Sequence, residues 1–235
     1  DILKIFEALR VRGKNYPISN AALCDTKRQN KGKSRPWRVA FFKTYTWADA
    51  EGYAKNNIEK YLNKLGNLTD IDIVEVELPN KFERIHNLHS TIYRKSLSYY
   101  FSNEYNKYEK MSDKMVNLIE KGNKISPTEY YDAINEQDAL CYSIDEILKQ
   151  YDVLISLSTS GVAPPREIEE KPDPALIWNT LQLPVAAVPA FVNENNLPFG
   201  FQVCSRKYND YLLLNFLDYL HENDMIPEKM NPVLS

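Results

Sequence analysis

Glycine is scarce here: seven in 235 residues, at positions 13, 32, 52, 66, 122, 161 and 200, with no two closer than fourteen residues. That excludes whole classes of site. A phosphate cradle needs several glycines within a few residues, so that backbone N–H groups can close on the anion. Neither a Walker loop nor a dinucleotide fingerprint can be written on this chain, and the G-x-S-x-G nucleophile elbow is absent.

Charge and hydropathy remove further classes. Net charge is −3, from 29 basic and 32 acidic residues, which gives no broad footprint for nucleic acid. The longest apolar runs are short and interrupted, so no membrane span is expected. No basic segment followed by an apolar one opens the chain, so no signal peptide is read. Cys24, Cys141 and Cys204 are far apart and form no C-x-x-C pair, which predicts reduced thiols in a cytoplasmic protein. The chain starts at Asp1 inside a helical register, with Ile2, Leu3, Ile5, Phe6 and Leu9 on one face. A cleaved tag or missing first residue accounts for that, as does a longer polypeptide.

The length suits a single α/β domain over residues 1–235. Residues 1–12 read as a helix and 13–36 as a long basic connection with Pro17 and Pro36. A buried strand is predicted over Arg38–Lys43, then an amphipathic helix over Trp47–Leu65 with Gly66 as its C-terminal cap. Ile71–Leu78 alternates apolar and acidic residues as a half-buried strand does, and the strand–helix–strand unit favours parallel pairing. Residues 81–121 read as helical. Ser126, Pro127 and Glu129 mark the start of a helix running to about Lys149. Strands are predicted at 152–157, 184–189 and 199–204, and a last helix over about 209–222.

Few residues suggest chemistry unaided. No Ser-x-x-Lys occurs. His86 and His89 lie at i, i+3 with Glu83 one turn earlier, a spacing that binds a metal only with a distant third ligand; a helix surface or a hydrogen-bonded pair is the plainer reading. Lys27, Arg28, Lys31, Lys33 and Arg35 form a basic run without interleaved aromatics, which reads as a solvated loop. Ser156, Ser158 and Ser160 close a strand, where open α/β sheets place ligands, although capping the next element or satisfying loop backbone is the plainer reading of each.

Four segments, in order, resemble the amidase signature family. They are Tyr151–Pro165, a strand ending in small hydroxyl residues and an Ala-Pro loop; Asp173–Phe191, an aromatic helix, a Leu-Pro and a strand ending in Val-Pro; Asn196–Val203; and Asp210–Leu214. Arg38–Phe42 and Ile73–Pro79 are similar to earlier strands of that family, and Asp1–Leu9 to the helix before them. Gln182 and Asn196 stand where the family commonly has glycine.

The resemblance implies a mixed sheet flanked by helices, of which this chain is the C-terminal portion. It also implies a hydrolase of a small amide that needs no cofactor and no metal. The family's lysine and two serines, with the Gly/Ser-rich stretch supplying oxyanion donors, lie upstream of everything matched, so no catalytic residue is assigned here. Ser156, Ser158, Ser160, Asp173 and Trp178 are the candidate substrate-binding residues. Asp173 would meet a substrate amine; a solvated helix start is its plainer role, as core packing is for Trp178. The expected partner is a missing N-terminal catalytic half, or a second copy. Two rivals stand beside this reading: a non-catalytic binding protein retaining half of the fold, and one component of a tRNA-dependent amidotransferase.

Overall fold

The computed structural model describes residues 2–16, 23–30 and 35–227. Asp1, Pro17, Lys31, Gly32 and Lys33 lie outside the described residues. The chain divides into two compact units, residues 1–78 with 145–235, and residues 79–144.

The first unit holds a five-stranded mixed sheet in the order β2-β1-β3-β5-β4. Its strands are β1 (Trp37–Phe42), β2 (Ile71–Val76), β3 (Val153–Leu157), β4 (Val185–Val192) and β5 (Pro198–Cys204). β1 pairs in parallel with β2 and with β3, whereas β5 runs antiparallel to β3 and to β4. The expected mixed α/β sheet is therefore present. β3 is apolar or small throughout and buried along its whole length, as a strand covered on both faces must be. β2 alternates half-buried and exposed residues from Ile71 to Val74, exposes Glu75 as well, and sits at the edge.

Two helices cover one face: α3 (Gly52–Gly66), with Ala54, Ile58, Tyr61, Leu62 and Leu65, and α9 (Asp210–Glu222), with Leu212, Leu213, Phe216 and Leu220. They pack on Val39, Phe41, Ile155, Phe201 and Val203. Each such side chain fully buried contributes about 1.5–3 kcal/mol. On the other face the short helix α8 (Ala175–Thr180) sets Trp178 edge-on to Phe42, ring centroids 5.4 Å apart. α1 (Ile2–Leu9) buries none of its residues, and Ile2, Ile5 and Leu9 are exposed. A single helical turn, α2 (Thr26–Gln29), lies within the long basic connection, started by the Asp25 carboxylate accepting from the backbone of Lys27 and Arg28.

Three local expectations are corrected. The helix read from Trp47 begins at Gly52, because Tyr45–Asp49 is a 3-10 turn and Ala50 is extended. Gly66 is that helix's last residue, and Asn67 follows it in ordinary right-handed geometry. Residues 81–121 are broken into α4 (Ile85–Tyr100), α5 (Ser102–Tyr105) and α6 (Asp113–Asn123), the last restarted by Ser112 Oγ accepting from the Met115 N–H. The Ser126 capping box forms as expected: Ser126 N–H donates to Glu129 Oε2 at 2.8 Å, and Glu129 N–H to Ser126 Oγ at 3.1 Å. It opens α7 (Pro127–Leu148).

Candidate substrate cavity

The polypeptide leaving β3 turns across the end of the sheet and bounds a cavity of about 810 Å³. That is within the range of small-molecule sites. Its walls come from the 158–165 loop, the 168–173 segment, the middle of β4, the start of β5 and the first turn of α3. The lining is apolar at Val162, Ile168, Val188 and Phe199 and acidic at Glu51, Glu169, Glu170 and Asp173.

The start of α3 holds both loops. The Glu51 N–H donates to the Ser160 carbonyl at 2.8 Å. The Val162 N–H donates to the Tyr53 hydroxyl at 2.9 Å. Lys171 Nζ donates to Glu51 Oε1 at 2.6 Å and to the Asp49 carbonyl at 2.9 Å. With Lys171 paired to Glu51, the remaining lining charge is carried by carboxylates. Gly161 has no room for a side chain, since a Cβ there would lie 2.5 Å from the Tyr53 hydroxyl. None of Glu51, Tyr53 and Lys171 is singled out by the sequence, because each meets its partner only after more than a hundred residues of intervening chain.

The candidate residues separate into two groups. Ser158, Ser160 and Asp173 line the cavity. Ser158 Oγ donates to the Gly200 carbonyl at 2.8 Å, tying the end of β3 to β5. Ser160 Oγ donates to the Pro172 carbonyl at 3.4 Å, and Asp173 Oδ1 accepts from the Ala175 N–H at 2.8 Å at the start of α8. Both hydroxyls keep lone pairs for an incoming donor. Ser156 and Trp178 lie apart from the cavity lining, in the core. Ser156 Oγ accepts from Trp178 Nε1 at 2.8 Å and from Gln202 Nε2 at 3.1 Å. A buried indole N–H and a buried amide need such an acceptor, which gives Ser156 a packing role.

Other candidates do not converge. His89 stacks on Tyr93, and burial, followed by the neighbouring His86, lowers its pKa. Among the described residues no group of three His, Cys, Asp or Glu is placed to hold a metal. Arg28 and Arg35 of the basic run are engaged within the fold: Arg28 with Asn209 and the Lys207 carbonyl, Arg35 with both carboxylate oxygens of Asp152 at 2.6 Å. Lys81 Nζ lies 2.7 Å from Ser143 Oγ, but that hydroxyl donates to the Ala139 carbonyl on the exposed side of α7.

A mixed sheet flanked by helices, with a ligand-sized cavity at the hydroxyl-bearing end of its central strand, defines an α/β protein. The family model described as Amidase matches residues 8–214, and the chain belongs to that family. A glutamyl-tRNA(Gln) amidotransferase subunit from Saccharolobus solfataricus is 28% identical over 102 residues, covering 40% of this chain and 21% of that protein. Its counterpart from Sulfolobus acidocaldarius is 36% identical over 94 residues, covering 37% and 20%. The crystal structure of an amidase superposes with a TM-score of 0.73 at 19% identity, over 83% of this chain and 47% of the other, which is a likeness of fold. The matched regions thus span about a fifth of those curated relatives and about half of that structure. No helix among the described residues is long and apolar enough to cross a membrane.

Proposed function

We propose that these 235 residues form the substrate-pocket part of an amidase-family hydrolase that cleaves the carbon–nitrogen bond of a small amide, with the serine nucleophile brought by a segment outside them. The observation that carries this is the cavity at the end of β3, walled by the segments whose sequence resembles the family. Amide cleavage needs an activated nucleophile, a proton acceptor and donors to the developing oxyanion. The part played here is to seat the substrate: Ser158 and Ser160 hydrogen-bond its polar groups, Asp173 meets an amine or amide N–H, and Ile168 and Phe199 pack its apolar portion. Ser156 and Trp178 hold the wall behind them. The serine route calls for no metal and no cofactor, and cysteines held as reduced thiols fit a cytoplasmic setting.

The test is the intact mass of the natural protein from its source, with an amide-hydrolysis assay and a fluorophosphonate probe. A protein longer than 235 residues that hydrolyses amides, and carries the probe on a serine outside this chain, supports the reading. A natural protein beginning near Asp1 that remains inactive and unlabelled overturns it in favour of a binding protein.

A further inference from the structure

The hydrogen-bonding groups of the cavity lining are unevenly spent. A serine or threonine hydroxyl carries one proton and two lone pairs, and a carboxylate only accepts. Ser158 Oγ gives its proton to the Gly200 carbonyl at 2.8 Å, Thr159 Oγ1 to the Gly161 carbonyl at 2.6 Å, and Ser160 Oγ to the Pro172 carbonyl at 3.4 Å. Lys171 is held on Glu51 and the Asp49 carbonyl. What the hydroxyls and carboxylates keep for a ligand is lone pairs. Tyr53, which also lines the cavity, is the reverse case. Its oxygen accepts the Val162 N–H at 2.9 Å, and its own proton meets no acceptor among the described residues. A phenol in that state is set to donate to whatever enters the cavity. Gly161 lets the hydroxyl sit there, since a Cβ at that position would collide with it. The ring stands edge-on to Phe199, centroids 5.3 Å apart, so the donor lies beside the apolar wall.

We propose that the Tyr53 hydroxyl is a substrate-binding donor that sets specificity, and that the substrate is a non-anionic amide whose apolar portion carries a second acceptor oxygen, an ether or a carbonyl, to receive it. This rests on the proposed function above. The oxygen is a second one because donors to the scissile carbonyl act where the nucleophile does, and in that reading the nucleophile comes from outside these residues. A lining rich in carboxylates repels an anionic substrate.

The test uses the natural protein and phenylacetamides in matched pairs, methoxy against ethyl at the ortho, meta and para ring positions. The members of a pair share their shape and differ in the acceptor oxygen. Each amide is scored by the concentration that halves the rate of fluorophosphonate labelling. Two variants remove the proton: Tyr53→Phe, which also removes the oxygen, and Tyr53→p-methoxyphenylalanine, which leaves an oxygen for the Val162 N–H. At one ring position the methoxy amide should act at about three- to tenfold lower concentration than its ethyl partner, and both variants should bring that ratio close to one. A loosened loop alone would weaken both members of a pair together and keep their ratio. A labelled serine with no pair discriminated, or a preference that survives in either variant, overturns the donor role and leaves the functional reading standing. A natural protein in which no serine is labelled overturns both.

Discussion

The phenolic oxygen of Tyr53, on the first turn of α3, accepts the Val162 N–H at 2.9 Å and so anchors the loop that leaves the central strand. Tyr53→Phe removes that acceptor while keeping the ring, whose edge packs on Phe199 with centroids 5.3 Å apart. Leaving a partly buried N–H without its partner should lower stability by about 1–2 kcal/mol. Urea denaturation reads the loss, and faster amide exchange at Val162 localises it to the cavity loop. Gly161→Ala should loosen the same loop, because its Cβ collides with the same hydroxyl.

Ser156 and Ser158 sit two residues apart and should answer differently to alanine. Ser156→Ala strips the shared acceptor from Trp178 and Gln202, both buried, and should destabilise the fold by about 1–3 kcal/mol with a change in tryptophan emission. Ser158→Ala removes one hydroxyl bond to the Gly200 carbonyl, while the Ser158 N–H still reaches that oxygen at 3.3 Å. Its loss of stability should be the smaller of the two. Equal losses for the two variants would contradict this division of roles.

Much of this is legible in the sequence, for definable reasons. β1, β2 and β3 follow from apolar runs and alternation, and the start of α7 from a capping box that is wholly local. The break after Tyr100 is hidden, since the apolar period continues through a region the backbone leaves helical geometry to cross; Ser112 followed by Asp113 is the usable signal. The three serines stand out as a cluster. Ser156 lies within β3, which is buried on both faces, whereas Ser158 and Ser160 lie past its end; the hydrogen bond to Trp178 that fixes the role of Ser156 joins positions 22 residues apart. Tyr53, Glu51 and Lys171 belong to the cavity only through tertiary contacts, which no local pattern announces.

Both positions where the related family commonly has glycine adopt left-handed backbone here, Gln182 at φ 57° and Asn196 at φ 59°. Gln182 closes α8: Leu183 N–H donates to the Trp178 carbonyl and Gln182 N–H to the Asn179 carbonyl, the pattern that glycine usually completes. Gln182→Gly should raise stability by roughly 0.5–1 kcal/mol, the relief of side-chain strain less the added freedom of the unfolded chain. Asn196→Gly should gain less, because asparagine tolerates this geometry better. Thermal melts of the two variants rank them.

His89 gives the helical 79–144 unit a pH response. Burial, then the nearby His86, hold its folded pKa below the ordinary 6.5 of the unfolded chain. Below pH 6.5 the unfolded state therefore binds more protons, and stability falls as pH drops toward the folded pKa. The contribution is fully present above 6.5. His89→Gln should flatten this part of the stability–pH curve between pH 7.5 and 5.5, measured by denaturant midpoints at fixed salt, and an unchanged slope would place the response elsewhere.

β1 pairs on one side with β2 and on the other with β3, where the Arg38 N–H donates to Asp152 from 114 positions away in the chain. On a ribosome the β1–β2 pair is therefore finished long before its central neighbour exists. At elongation rates of about 5–20 residues per second that interval is roughly 4–16 s. Throughout it β1 presents an apolar, unpaired flank to a crowded solution. Synthesis of this protein should accordingly lean on nascent-chain chaperones, and slowing translation between β2 and β3 should lower its soluble yield.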